Sequence, residues 1–266
     1  MTTTRAIVAW RGRVAAAVVS VSVALPLGPA SAQSAVAAIE RVKPSIVAVG
    51  TFERTRTPAF EFRGTGFAVG DGTLIATNAH VLPKRIDGPR LEVLGILVPV
   101  PGGTQVQFRE AKQVAIDPGS DLALLQIGGN ALPALPLADS DAVKEGQGVL
   151  FTGYPIGNAL GPFPATHRGM VAAVSPIAIP QARSGDLDPK VIRRLSVGAF
   201  PIFQLDAVAY PGNSGSPVYD PETGQVLGVI NMVFVKGTKE SVLTQPSGIT
   251  YAVPSNHLRA LLQAPR

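Results

Sequence analysis

Ser214 lies within Gly212-Asn213-Ser214-Gly215-Ser216-Pro217. Glycine tolerates backbone angles that a β-carbon forbids, so a chain with Gly212 before the serine and Gly215 after it can bend sharply and present the hydroxyl. Such a bend also lets the amide N–H groups of Gly212 and Ser214 point into one small space. Acyl transfer needs donors there, because negative charge develops on the attacked carbonyl oxygen. A serine hydroxyl is a weak nucleophile at neutral pH, so this chemistry requires a histidine base and a carboxylate to orient it. The same six residues would also suit an ordinary turn between two strands, and the rest of the chain must decide.

Three histidines are available, His80, His167 and His257. His80 stands in Thr77-Asn78-Ala79-His80-Val81, directly after a predicted strand. Asp121 stands in Asp117-Pro118-Gly119-Ser120-Asp121-Leu122-Ala123-Leu124-Leu125, at the mouth of an apolar strand. Taken singly, each has a plainer reading, a hydrogen-bonded structural histidine and an exposed turn carboxylate. Their order changes the balance. His80, Asp121 and Ser214 follow the chain order of chymotrypsin-type enzymes and differ from the orders of α/β-hydrolases and subtilisins. His167 precedes Arg168-Gly169 at a strand start and reads as structural, and His257 in the terminal helix receives no role. Cysteine is absent and no H-x-x-x-H spacing occurs, so neither a thiolate site, a metal nor another cofactor is expected.

The elements that must position these residues are mostly short strands. With 266 residues, 46% hydrophobic, and with 28 glycines and 24 prolines, the chain suits an all-β architecture with a sizeable core. A helix is expected over 34–42, with Val36, Ile39 and Val42 on its buried side. Strands follow at 45–49, 64–69, 73–76, 91–98, 104–108, 113–116 and 122–127. A turn-rich link spans 129–145. Further strands are expected at 148–153, 167–174, 202–205, 217–219, 226–235 and 249–253, then a helix over 255–263 capped by Ser255. The segment 175–200 reads as an insertion with one or two helical turns.

Residues 1–32 read as a secretory segment, with Arg5, Arg11 and Arg13, an apolar run and the small residues Ala30-Ser31-Ala32. Its removal would leave 20 basic and 18 acidic residues from a formal net charge of +5. Nothing therefore points to nucleic acid, and an extracytoplasmic location (periplasmic or secreted) without stable membrane insertion is expected.

The chain resembles a trypsin-like serine protease of the HtrA/Deg family. The residues that carry the resemblance are Val42-Lys43-Pro44-Ser45, Gly64-Thr65-Gly66-Phe67, Thr77 to Val81, Asp121-Leu122-Ala123-Leu124, Gly153-Tyr154-Pro155-Ile156-Gly157, Gln204-Leu205-Asp206-Ala207, Gly212 to Pro217, and Thr250-Tyr251-Ala252-Val253-Pro254. The resemblance implies two packed antiparallel six-stranded β-barrels, an N-terminal one over about 45–128 and a C-terminal one over about 146–254, with the active site between them. It assigns Asp121 to orient His80, His80 to take the Ser214 proton, and the Gly212 and Ser214 amides of the Gly212–Asn213–Ser214 oxyanion hole to hold the oxyanion, with Asn213 shaping the turn. It implies polypeptide substrates and leaves homo-oligomerisation open.

Three departures stand out. Ser216 replaces the usual glycine, no PDZ domain is expected after Arg266, and 175–200 is longer than the usual connection. By the same resemblance, Val208 forms the floor of the primary specificity pocket and Ile230, Val233 and Ile249 its walls. The backbone of Asn231, Met232 and Val233 would pair with an extended substrate. Four aliphatic side chains favour cleavage after small or medium apolar residues. A chaperone-like binding protein on the same fold and an esterase using the same triad stand as alternatives.

Overall fold

The computed structural model describes residues 30–100, 105–157, 161, 163–176, 200–231 and 248–265. Helix α1 (Ala30–Val42) leads into β1 (Ile46–Phe52), β2 (Phe60–Val69), β3 (Leu74–Asn78), β4 (Val93–Pro99), β5 (Val106–Asp117) and β6 (Leu122–Ile127). These six strands close into an antiparallel barrel in the order β1-β2-β3-β6-β5-β4. A second barrel is built from β7 (Gly148–Gly153), β8 (Ala165–Pro176), β9 (Pro201–Asp206), β10 (Pro217–Tyr219), β11 (Val226–Ile230) and β12 (Ile249–Pro254). Its order, β7-β8-β9-β12-β11-β10, repeats the winding of the first. Helix α2 (Ser255–Gln263) ends the described chain. Closure leaves neither sheet with an unpaired edge.

Side chains alternate across a strand, so each strand feeds two different cores. In β6, Ala123 and Leu125 enter the first barrel with Val47, Val49, Ala68, Ile75 and Ile96. Leu122 and Leu124 point the other way, into a cluster shared by both barrels, α1 and the helix Ser255–Gln263, with Ile46, Phe67, Leu150, Val229, Val253 and Leu258. In the second barrel, Val149, Phe151, Phe203 and Ile230 fill the interior. Burial on both faces is why these strands read as unbroken apolar runs. It also makes the seam between the barrels a packed core, which gives residues at that seam fixed positions.

Several expectations are corrected. The two strands expected at 104–108 and 113–116 are one strand, β5. It pairs with β4 over Val106–Glu110 and with β6 over Ala111–Asp117, and a register shift between Gln113 and Ala115 marks the bend. An irregularity of this kind lets one long strand turn a barrel corner. The buried side of α1 carries Ala35, Ala38, Ile39 and Val42, while Val36 is 56% exposed. Two steps of three residues drift about 120° around a helix, which carries Val36 off the Val42 face. Ser255 does not cap α2; its hydroxyl donates to the Ala138 carbonyl at 2.9 Å instead. The expected helical turns within 175–200, the end of β11 toward Val235, and nearly all of the leader segment lie outside the described residues.

Candidate active site

β3 ends at Asn78 and passes into a single 3₁₀ turn, Ala79–Val81, that carries His80. The neighbouring strand β6 begins just after Asp121, whose φ of 57° is left-handed. Aspartate tolerates this conformation better than most residues. The turn before it is held by Asp117, whose carboxylate accepts from the Gly119 N–H at 2.9 Å and the Ser120 hydroxyl at 2.5 Å. The Asp121 carbonyl then accepts from Ala79 N–H at 2.9 Å and from the Asn78 amide at 3.1 Å. Adjacent strands thus lock the two turns together.

The side chains meet accordingly. Asp121 Oδ1 accepts from the His80 backbone N–H at 2.9 Å, and Asp121 Oδ2 lies 2.6 Å from His80 Nδ1. His80 Nε2 lies 3.0 Å from Ser214 Oγ, across the seam. With Asp121 8% exposed and Ser214 6% exposed, the array is shielded from bulk water, while the His80 side chain keeps 30% exposure. Asn231 adds a donor: its side-chain amide, fully buried, donates to Asp121 Oδ2 at 2.8 Å.

Ser214 is fixed by its own turn. The Asn213 N–H donates to the Tyr210 carbonyl at 2.9 Å, closing Tyr210-Pro211-Gly212-Asn213 with φ of 103° at Gly212. Proline followed by a glycine of positive φ suits a type II turn. A β-carbon on Gly212 would lie 2.3 Å from the Tyr154 carbonyl and 2.9 Å from the Phe62 ring, so only glycine fits. Thr65 supports the turn from β2. Its N–H donates to the Ser214 carbonyl at 2.8 Å, and its hydroxyl donates to the Gly212 carbonyl at 2.8 Å and accepts from Tyr154 N–H at 3.0 Å. Among the described residues, the N–H groups of Gly212 and Ser214 donate to no protein acceptor. That of Asn213 is committed to Tyr210, so Asn213 shapes the turn. Its side-chain amide and the Ser216 hydroxyl are buried without a partner. The arrangement can polarise a serine hydroxyl and leaves two amide donors beside it.

A model of the trypsin-like peptidase domain matches residues 64–229, which include all three of these side chains. The chain belongs to the trypsin-like peptidase family. It is 29% identical over 192 residues to a probable periplasmic serine endoprotease DegP-like of Marinomonas sp., covering 72% of this chain and 33% of that protein. It is 29% identical over 230 residues to serine protease HTR4 of Bos taurus, covering 84% of this chain and 40% of the relative. The match therefore spans well under half of each relative. Among solved structures, Deg5 superposes with a TM-score of 0.61 at 23% identity, covering 86% of this chain and 92% of that one. The HtrA-type protease AlgWS227A with tripeptide gives 0.60 at 23% identity, covering 86% and 62%. These two show a shared fold.

The residues expected around the specificity pocket fall differently. Val208 is half-buried just beyond β9, and Ile249, 44% exposed, opens the adjacent β12. Thr250 pins the two together, donating from its hydroxyl to the Ala207 carbonyl at 2.7 Å and accepting from the Ala209 N–H at 3.1 Å. Ile230 corrects an expectation. Its side chain is fully enclosed in the second barrel's core and cannot be a pocket wall. Its backbone instead accepts from Gly215 N–H at 3.0 Å and donates to the Ser216 carbonyl at 2.9 Å, tying down the serine loop. Met232 and Val233 lie outside the described residues. The other two histidines sit apart from the Asp121–His80–Ser214 array. His167 stacks on Phe151 with ring centroids 4.8 Å apart, and burial pushes its pKa down. His257 packs on Phe200 at 4.3 Å. The roles of Asn231 and Thr65 were missed: Gly64-Thr65-Gly66 was visible as a motif, but nothing local told what the hydroxyl would meet.

Proposed function

We propose that this chain is a serine-type endopeptidase acting through Ser214, His80 and Asp121. The reading is carried by one observation, the continuous array Asp121–His80–Ser214 with contacts of 2.6 and 3.0 Å. Ser214 Oγ would attack the peptide carbonyl carbon while His80 Nε2 takes its proton, and the carbonyl electrons would move onto oxygen facing the Gly212 and Ser214 N–H groups. The intermediate collapses as the carbon–nitrogen bond breaks, and His80 gives its proton to the leaving amine. Water then repeats the sequence on the acyl-enzyme, releasing the acid and restoring Ser214. Asp121 holds Nδ1–H and favours the imidazolium.

Substrates are read as extended or unfolded polypeptides, cleaved after small or medium aliphatic residues. Val208 and Ile249 support that preference, since neither offers charge to a basic or acidic guest. Relatives named as periplasmic, together with the leader-like residues 1–32, support an extracytoplasmic location. A fluorophosphonate probe should label Ser214. Ser214→Ala should lower kcat on an unfolded protein substrate by about 10⁴-fold or more. Failure of labelling, or casein cleavage by Ser214→Ala near the wild-type rate, would overturn the assignment and favour a binding protein.

A further inference from the structure

Arg63 lies on β2, next to Gly64, whose α-carbon leaves no room for a β-carbon between Val81 and the Ser214 carbonyl. Its Nε donates to the carbonyl of Val81, the residue after His80, at 2.8 Å. That bond fixes the plane of the guanidinium beside the triad. The remaining edge is only weakly engaged. Glu61 Oε1 lies 3.5 Å from Nη1, and the same carboxylate is already held by Arg56 at 3.1 Å. Among the described residues, Nη2 has no acceptor, and the side chain is 30% exposed. Lys84 and Arg85, on the segment leaving His80, are exposed and make no ion pair among the described residues.

The position defines which part of a substrate would meet this charge. His80 must reach the leaving nitrogen, so the chain beyond the scissile bond departs on the His80 side. The acyl portion lies toward Val208 and Ile249 in the second barrel. An extended peptide advances about 3.3 Å per residue, so the first two residues past the bond fall within reach of a side chain anchored beside Val81. We propose that Arg63 is a specificity residue that selects an acidic side chain in the leaving portion of the peptide, at the first or second residue after the scissile bond. Guanidinium and carboxylate match as a planar fork, and Arg63 has already given up the freedom that such a pair would otherwise cost. The inference rests on the peptidase reading above.

The test uses internally quenched peptides with one acyl sequence and with Asp, Ala or Lys at the two positions after the bond. A 4-nitroanilide of the same acyl sequence, which has no residue beyond the bond, reports the chemistry by itself. The ratio of kcat/KM between two peptides is independent of how much enzyme is active. For the wild type, Asp should exceed Lys by about tenfold, the range of a half-shielded charge-assisted pair. Arg63→Ala should bring the ratio near one, and Arg63→Glu should invert it. Salt should compress the wild-type ratio. Equal rates for Asp and Lys peptides with the wild type, or an undiminished preference in Arg63→Ala, would overturn the assignment while the nitroanilide is still hydrolysed. A wild-type protein that cleaves neither peptides nor nitroanilide would overturn the peptidase reading, and this one with it.

Discussion

Replacing Asn231 by leucine tests how far the triad depends on a residue outside it. The two side chains share the same branched skeleton, and the substitution removes the hydrogen bond from Nδ2 to Asp121 Oδ2 at 2.8 Å. In the wild type, the Asp121 carboxylate accepts from three donors: the His80 backbone, His80 Nδ1 and Asn231. Leucine would leave two and set a methyl group against a carboxylate only 8% exposed. A hydrogen bond to a charged group contributes about 1.5–3 kcal/mol. The loss should be felt in the transition state, when Asp121 must stabilise a positive His80 and hold its ring in line with Ser214. At about 1.4 kcal/mol per tenfold, kcat should fall about 10- to 150-fold with little change in KM. Asp121→Asn should be far worse, about 10⁴-fold, because it favours the wrong histidine tautomer. The assay is nitroanilide hydrolysis normalised to the fluorophosphonate-reactive fraction, with a thermal melt beside it. If folded Asn231→Leu kept kcat within about twofold of wild type, the amide would be structural and this account of Asp121 would be wrong.

Two further outcomes are expected. Gly212→Ala should lower kcat by about 10²- to 10³-fold, the loss typical of an oxyanion donor, because a β-carbon 2.3 Å from the Tyr154 carbonyl forces the turn to move; steady-state kinetics with the nitroanilide check it, and wild-type kcat would refute it. Burial lowers the pKa of His167 from 6.5, so the unfolded chain binds its proton more readily. Its contribution to stability should be complete above about pH 6.5 and decline as pH falls from there toward the lowered value. His167→Leu should flatten that part of a melting-temperature profile between pH 7.5 and 5.

The residues of the proposed triad were legible because each sits in a local signature. Gly212 and Gly215 announce the bend around Ser214, Asp117 and Gly119 the turn before Asp121, and the apolar run Leu74–Ala76 the strand that delivers His80. Chain order joined them into one hypothesis, and frequent turns between strands that follow one another without intervening helices fitted two packed β-barrels. Strand boundaries were less legible, as β5 shows. Its bend is a register shift against β6, while its first half pairs with β4, and neither pairing can be read from the residues of β5 alone.

What only the tertiary structure decided is the set of contacts between residues far apart in the chain. Asn231 reaches Asp121, Thr65 reaches Gly212, and Arg63 reaches Val81. Ile230 and Asn231 are adjacent, yet one side chain fills the second barrel and the other faces the Asp121 carboxylate. In a strand, one step of register exchanges the two faces, and β11 takes its register from pairing with β10 and β12. Residue type announced a capacity to donate, accept or pack; the closure of two barrels against each other chose the partner.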